Sequence, residues 1–199
     1  MCGRYFIATE QDDAEIKKII EEINDRFKDT PELSKMKTGE IYPTNIVPII
    51  TPEAPVLMRW GFPRFDGKGQ IINARLETAS EKPMFRKGFA EHRCLIPASH
   101  YFEWETIGKK KQKYAIGLPS TLYMAGMYRF EKDLPVPLFV ILTRPAAPGI
   151  IFIHERMPVI LPKELSGVWL SGEMESHDMM HHSVEDVSYA GVDVTPTLF

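Results

Sequence analysis

The chain has 199 residues, 44% hydrophobic and 26% charged, which is enough apolar material for a substantial core. Its formal net charge of −3 gives no bulk attraction to nucleic acid, so any such binding needs a local basic surface. No apolar run reaches the ~18 residues of a membrane span, and no basic-then-apolar leader opens the chain.

The elements are predicted in chain order. Ile16, Ile19, Ile20, Ile23 and Phe27 recur at helical spacing, which predicts an amphipathic helix from Asp12 to Phe27. A polar, lysine-bearing loop follows to Glu40. From Ile41 the texture changes to short apolar runs broken by proline and glycine: IYPTNIVPII, PVLMRWGF and GQIINAR. These read as short strands, several of them edge or irregular strands because of their prolines. Lys82 to His92 is predicted as a short helix before the strand RCLIPASHYFEW. KYAIGL, LYMAGMYRF and PLFVILT read as successive strands, and residues Ala146 to Ile153 connect into HERMPVIL. The tail from Lys163 is more polar, and WLSG marks the end of a short helix. There is no repeat or linker. The expected class is α+β: one strand-rich domain over residues 1–199, with a curled, mainly antiparallel, barrel-like sheet and peripheral helices.

Two cysteines, Cys2 and Cys94, make neither a disulfide framework nor a zinc spacing, which fits a reducing, cytoplasmic setting. Cys94 lies in an apolar strand and reads as a small buried hydrophobe. Cys2 is different. Removal of Met1 would leave it with a free α-amine beside its thiol. A 1,2-aminothiol condenses with an aldehyde through the amine, and the thiol then closes the imine into a thiazolidine. A small residue in a frayed terminus is the plainer account, and the rest of the chain decides between them.

Four stretches carry residues that a core does not need: MCGRY at 1–5, NARLET at 73–78, RCLIPASHYFEW at 93–104 and HERMPVIL at 154–161. Taken in order, with WGF at 60–62 and MF at 84–85 between them, they resemble the SRAP family (SOS response-associated peptidase). Bacterial and animal members of that family shield abasic sites in single-stranded DNA. The resemblance implies a thiazolidine between Cys2 and C1′ of the open abasic sugar. It implies that Asn73 accepts from the α-amine, that Glu103 moves protons as water leaves, and that His154 assists ring opening and imine capture. Each has a bland alternative: Glu103 on the outer face of a strand, Asn73 shaping a turn, His154 on the surface.

Arg4, Arg75 and Arg156 sit in these same stretches, and their forked donors suit a phosphate track; surface ion pairs are the competing account. Trp60 and Pro43 resemble positions where the family packs apolar surface against exposed bases, with core burial the alternative for Trp60. Lys109, Lys110, Lys111 and Lys113 read as a solvated hairpin tip and are not counted as DNA contacts. His177 and His181 are four apart in HDMMHH, but no third ligand is fixed by spacing, so a solvated surface is expected. No metal, cofactor or obligate protein partner is expected. The expected partner is single-stranded DNA containing abasic sites, with the protein at the chromosome or nucleoid if bacterial. The alternatives are a cysteine peptidase that processes its own N-terminus and a non-catalytic single-strand binder.

Overall fold

The computed structural model describes residues 2–8 and 13–192. Met1, whose removal the aminothiol chemistry requires, and Asp12, the expected start of the first helix, lie outside the described residues.

In chain order the strands are β1 (Arg4–Ile7), β2 (Gly39–Ile41), β3 (Ile46–Ile50), β4 (Pro55–Trp60), β5 (Phe62–Pro63), β6 (Gln70–Ile71) and β7 (Asn73–Arg75), followed by β8 (Arg93–Ile107), β9 (Lys110–Arg129), β10 (Leu138–Pro145), β11 (Arg156–Pro158), β12 (Ile160–Leu161) and β13 (Ser188–Val192). The α-helices are α1 (Ala14–Arg26), α2 (Leu76–Ala79), α3 (Pro83–Glu91), α4 (Ser166–Leu170) and α5 (Ser176–His182). Strands β9, β10, β4, β3 and β8 pair in that order, and β8 pairs back onto β9, closing a five-stranded ring. The β10–β4 joint is parallel and the other four are antiparallel. Outside the ring, β1 and β2 extend from β8, β7 and β11 attach to β10, and β12 and β13 attach to β9.

Local chemistry explains the elements. Asp13 caps α1, its carboxylate accepting from the Glu15 and Ile16 amides at 3.0 and 3.2 Å. The helix then buries Ile16, Ile20 and Ile23 against the barrel, each burial contributing about 1.5–3 kcal/mol. The β8–β9 hairpin turns through Gly108 at φ +61°, paired from Ile107 to Lys110, which is the positive first position a two-residue turn of this kind requires. Inside the ring the strands approach so closely at Gly126 that a Cβ there would meet Ile96 Cδ1 at 2.5 Å and Val140 O at 2.7 Å.

KYAIGL and LYMAGMYRF, expected as two strands, are one strand of 20 residues. Pro119 sits in a bulge: opposite Ser99 the register jumps from His100↔Gly117 to Ala98↔Leu122. The proline's missing N–H falls where no ladder partner is required, so the strand continues through it.

The polar tail is tied to the barrel by two buried arginines. Arg93 donates to the carbonyls of Phe89, Trp169 and Met174, and its guanidinium lies 4.3 Å from the Trp169 ring. Arg144 donates to Met180 O and Ser183 Oγ and pairs with Glu185. His177 and His181 lie exposed on α5. Cys94 is fully buried, as expected, and burial pushes its thiol pKa well up.

Candidate active site

Cys2 enters the structure just ahead of β1, which pairs with β8 through Arg4↔Phe102 and Tyr5↔Tyr101. Strand alternation points Tyr5, Tyr101 and Glu103 inward and Arg4, Phe102 and Trp104 outward. Cys2 is fully buried in the same cluster as Tyr5, Trp60, Tyr101 and Ile153. Its Sγ donates to Arg4 O at 3.6 Å. Desolvation, and after it the charge of Glu103, pushes the thiol pKa well above its ordinary value, so the resting group is a neutral thiol.

The NAR stretch forms β7, whose parallel pairing Asn73↔Ile141 aims Asn73 toward the N-terminus. Asn73 Nδ2 donates to Cys2 O at 2.8 Å. Its Oδ1 is buried without a hydrogen-bond partner among the described residues. Two phenols nearby share that condition. Tyr5 and Tyr101 are fully buried with unpartnered hydroxyls, and each is electrostatically coupled to Cys2. A buried polar atom left unpaired costs about 1–3 kcal/mol, so three of them around one thiol need a reason.

Glu103 is 4% exposed, which removes the outer-face alternative. With Gly3, Arg4, Trp104, Lys111 and His154 it lines an open cleft of about 490 Å³. The Arg156 amide donates to His154 Nδ1 at 2.9 Å, so the neutral ring carries its proton on Nε2. Glu103 and His154 therefore line one opening beside Gly3, while the buried Cys2 lies within reach of the Glu103 charge and is hydrogen-bonded by Asn73 without lining the cleft.

The expected DNA-binding residues divide. Arg75 is exposed. Arg4 lies on the outer face, paired with Glu40 at 3.2 Å, its guanidinium 4.5 Å from the Tyr42 ring and 5.2 Å from the Trp104 ring. Pro43 is half-buried at the tip of a turn in which Thr44 has φ +76°. A β-branched residue in that region is strained, and hydrogen bonds from Thr44 N to Trp60 O at 2.8 Å and from Trp60 N to Asn45 O at 3.0 Å hold the turn.

Two expectations are corrected. Trp60 is fully buried, donates Nε1 to Ile72 O at 3.0 Å and packs between Tyr5 and Phe139, so it offers no face to a base. Strand β4 is a ring member, and its inward positions fill the barrel. Arg156 is 9% exposed and grips Glu77 with both terminal nitrogens, with Thr143 O accepting at 2.6 Å as well. Its donors brace β11 against α2 and β10 and are not turned to phosphate. Lys111 is exposed on the β8–β9 hairpin, as expected, and also lines the cleft because β9 starts beside the end of β8. Residue spacing carries no signal for that.

The site defines a closed strand-barrel protein with a buried cysteine just ahead of its first strand and a carboxylate and an imidazole lining a cleft. The family model described as SOS response associated peptidase (SRAP) matches residues 1–197, and the chain belongs to that family. Abasic site processing protein YoqW of Bacillus subtilis is 34% identical over 196 residues, covering 90% of this chain and 84% of its own. Abasic site processing protein YMR114C of Saccharomyces cerevisiae is 29% identical over 194 residues, 81% of this chain. The match spans about half of that yeast relative, 52% of its length. The crystal structure of a protein from Bacteroides thetaiotaomicron has the same fold, with a TM-score of 0.78 at 23% identity, covering 97% of this chain and 93% of that one.

Proposed function

We propose that this protein processes abasic sites in DNA by capturing the sugar aldehyde on Cys2, once Met1 has been removed, and so shields the lesion during the DNA damage response. The observation that carries the proposal is the setting of Cys2: its carbonyl is held by Asn73 Nδ2, and the Asn73 Oδ1 is buried with no partner among the described residues. An amide oxygen in that position suits an N–H donor from the α-amine of the same residue.

The steps balance without any cofactor. The Cys2 amine attacks C1′ of the ring-opened sugar, and the carbinolamine loses water to give an imine. The thiol sulfur then bonds to C1′ while its proton passes to the imine nitrogen, closing the thiazolidine. Burial keeps the thiol protonated until this last step, so the amine acts first. The positive charge that develops on a protonated imine then favours sulfur attack. Glu103 is placed to relay protons between hydroxyl, nitrogen and departing water, and His154 Nε2–H to donate to the sugar oxygen as the ring opens. Arg4 and Lys111 line the cleft and Arg75 is exposed two residues after Asn73, basic groups on an acidic chain that suit the phosphates of an unpaired strand.

The experiment is a denaturing gel of protein incubated with abasic single-stranded DNA, alongside the intact mass of the purified chain. A heat-stable adduct that needs no reductant, formed only by chains lacking Met1 and lost in Cys2→Ala, is the expected result. A full yield of adduct from Cys2→Ala sinks the thiazolidine mechanism.

A further inference from the structure

Tyr114 stands directly opposite Glu103 on the neighbouring strand. Directly opposed residues share a face of the sheet, so the Tyr114 ring rises on the same face as the Glu103 carboxylate. It makes edge-to-face contacts with Phe152 (centroids 6.0 Å apart) and Tyr189 (5.8 Å), and these two rings meet at 5.3 Å. Three segments distant in sequence therefore converge: β9, the β10–β11 connection and β13. The Tyr114 hydroxyl donates to Glu105 Oε2 at 2.9 Å, which fixes the first ring.

Tyr114 packs against the edge of the core, and the other two rings stand outside it. Phe152 and Tyr189 are each 47% exposed, and the neighbouring Ile151 is 58% exposed. Contiguous exposed aromatic surface beside a cleft calls for an occupant. Phe152 lies two residues before His154, and the hairpin that bears Tyr114 also bears the exposed Lys109, Lys110 and Lys111. Lys111 lines the cleft itself. Aromatic faces interleaved with ammonium groups suit an unpaired nucleotide strand, whose bases stack on the rings while its phosphates meet the lysines. A second copy of the chain fits poorly, because a self-complementary contact would bring the two lysine clusters together.

We propose that Tyr114, Phe152 and Tyr189 form a stacking platform for an unpaired base flanking the lesion, with Lys111 on an adjacent phosphate. The proposal takes its ligand from the abasic-site reading above. It also supplies the aromatic surface that the buried Trp60 does not.

The test uses single-stranded DNA carrying a tetrahydrofuran abasic analogue, which has no aldehyde and cannot crosslink, with 2-aminopurine on one side of it or the other. The wild type is expected to quench the probe on one side only. Phe152→Ala/Tyr189→Ala should lose the quench and bind about tenfold more weakly, the usual scale for one stacked base. Phe152→Leu keeps apolar bulk and removes the π-face, so it should lose most of the quench with the fold intact. Unchanged affinity and quenching in both variants overturn the platform. So does a double variant that loses self-association in sedimentation while its DNA affinity holds. If the wild type binds and quenches the analogue yet never crosslinks true abasic DNA, the platform stands and covalent capture fails.

Discussion

Asn73 donates Nδ2 to the carbonyl oxygen of Cys2 at 2.8 Å while its own Oδ1 stays buried with no partner among the described residues. One half of the amide fixes the N-terminal residue. The other half suits an N–H donor such as the α-amine of Cys2. Asn73→Leu removes both halves at similar volume. Crosslinking is expected to slow about tenfold, the scale of one buried hydrogen bond. Trapping with cyanoborohydride should capture less imine, because the amine step is the one impaired. An unchanged imine yield would leave Asn73 as a structural brace alone.

Glu103→Gln keeps shape and hydrogen bonding but removes the titrating group. The crosslinking rate should fall about 10²-fold, typical for loss of a general acid/base. His154→Ala should slow the reaction too and alter its pH–rate profile. Stopped time courses on one abasic oligonucleotide across a pH series check both. Wild-type rates in the two variants would reduce these residues to scaffolding.

The phenols of Tyr5 and Tyr101 set stability against activity. Burial raises both hydroxyls well above the ordinary tyrosine value, so each keeps its proton and can donate it. Tyr101→Phe removes an unpartnered buried hydroxyl, and the melting temperature should rise about 2–4 °C per kcal/mol relieved. If the hydroxyl serves the sulfur or the sugar oxygen, crosslinking should slow in the same variant. A higher melting temperature at full rate would show that it serves neither.

Arg75 and Arg156 should behave differently, although both were candidates for phosphate. Arg75 is exposed, so Arg75→Ala should weaken single-strand binding at low salt and flatten the salt slope by about one phosphate contact. Arg156→Ala should act mainly through stability, because it leaves Glu77 and Thr143 O without their donor. Binding isotherms at several salt concentrations, read against urea midpoints, separate the two. An equal salt-slope change in both would return Arg156 to the phosphate track.

The Glu77–Arg156 pair also gives a pH dependence. The Arg156 guanidinium holds the Glu77 carboxyl below the usual carboxylate range. The stabilisation is therefore present above the unfolded value of about 4.3 and lost as pH falls through the lower folded value. Glu77 is 36% exposed on its side chain, so solvent screening keeps the effect to about 1 kcal/mol or less. Glu77→Gln should make the urea midpoint less sensitive to pH below about 4.3. A midpoint that falls with acid as steeply as in the wild type would assign that sensitivity to other groups.

The strand-rich α+β class, the amphipathic helix α1 and most of the strand segments from β3 to β12 were legible in the sequence. Alternation and helical spacing are local properties, whereas the candidate residues in MCGRY, NARLET, FEW and HERM were singled out by a resemblance and not by spacing. Closure of the ring, the continuous β9 through Pro119 and the docking of the tail were not legible. They depend on which strands meet, and pairing between distant segments leaves no periodic trace in either one. The same reason governs the arginines and aromatics. An arginine reads alike whether it meets phosphate or a buried glutamate, and only the packing of β11 on α2 turned Arg156 inward. Trp60 was buried by the closing of the barrel around β4, while Phe152 and Tyr189, 37 positions apart in the chain, were brought to one exposed surface by β13 pairing with β9.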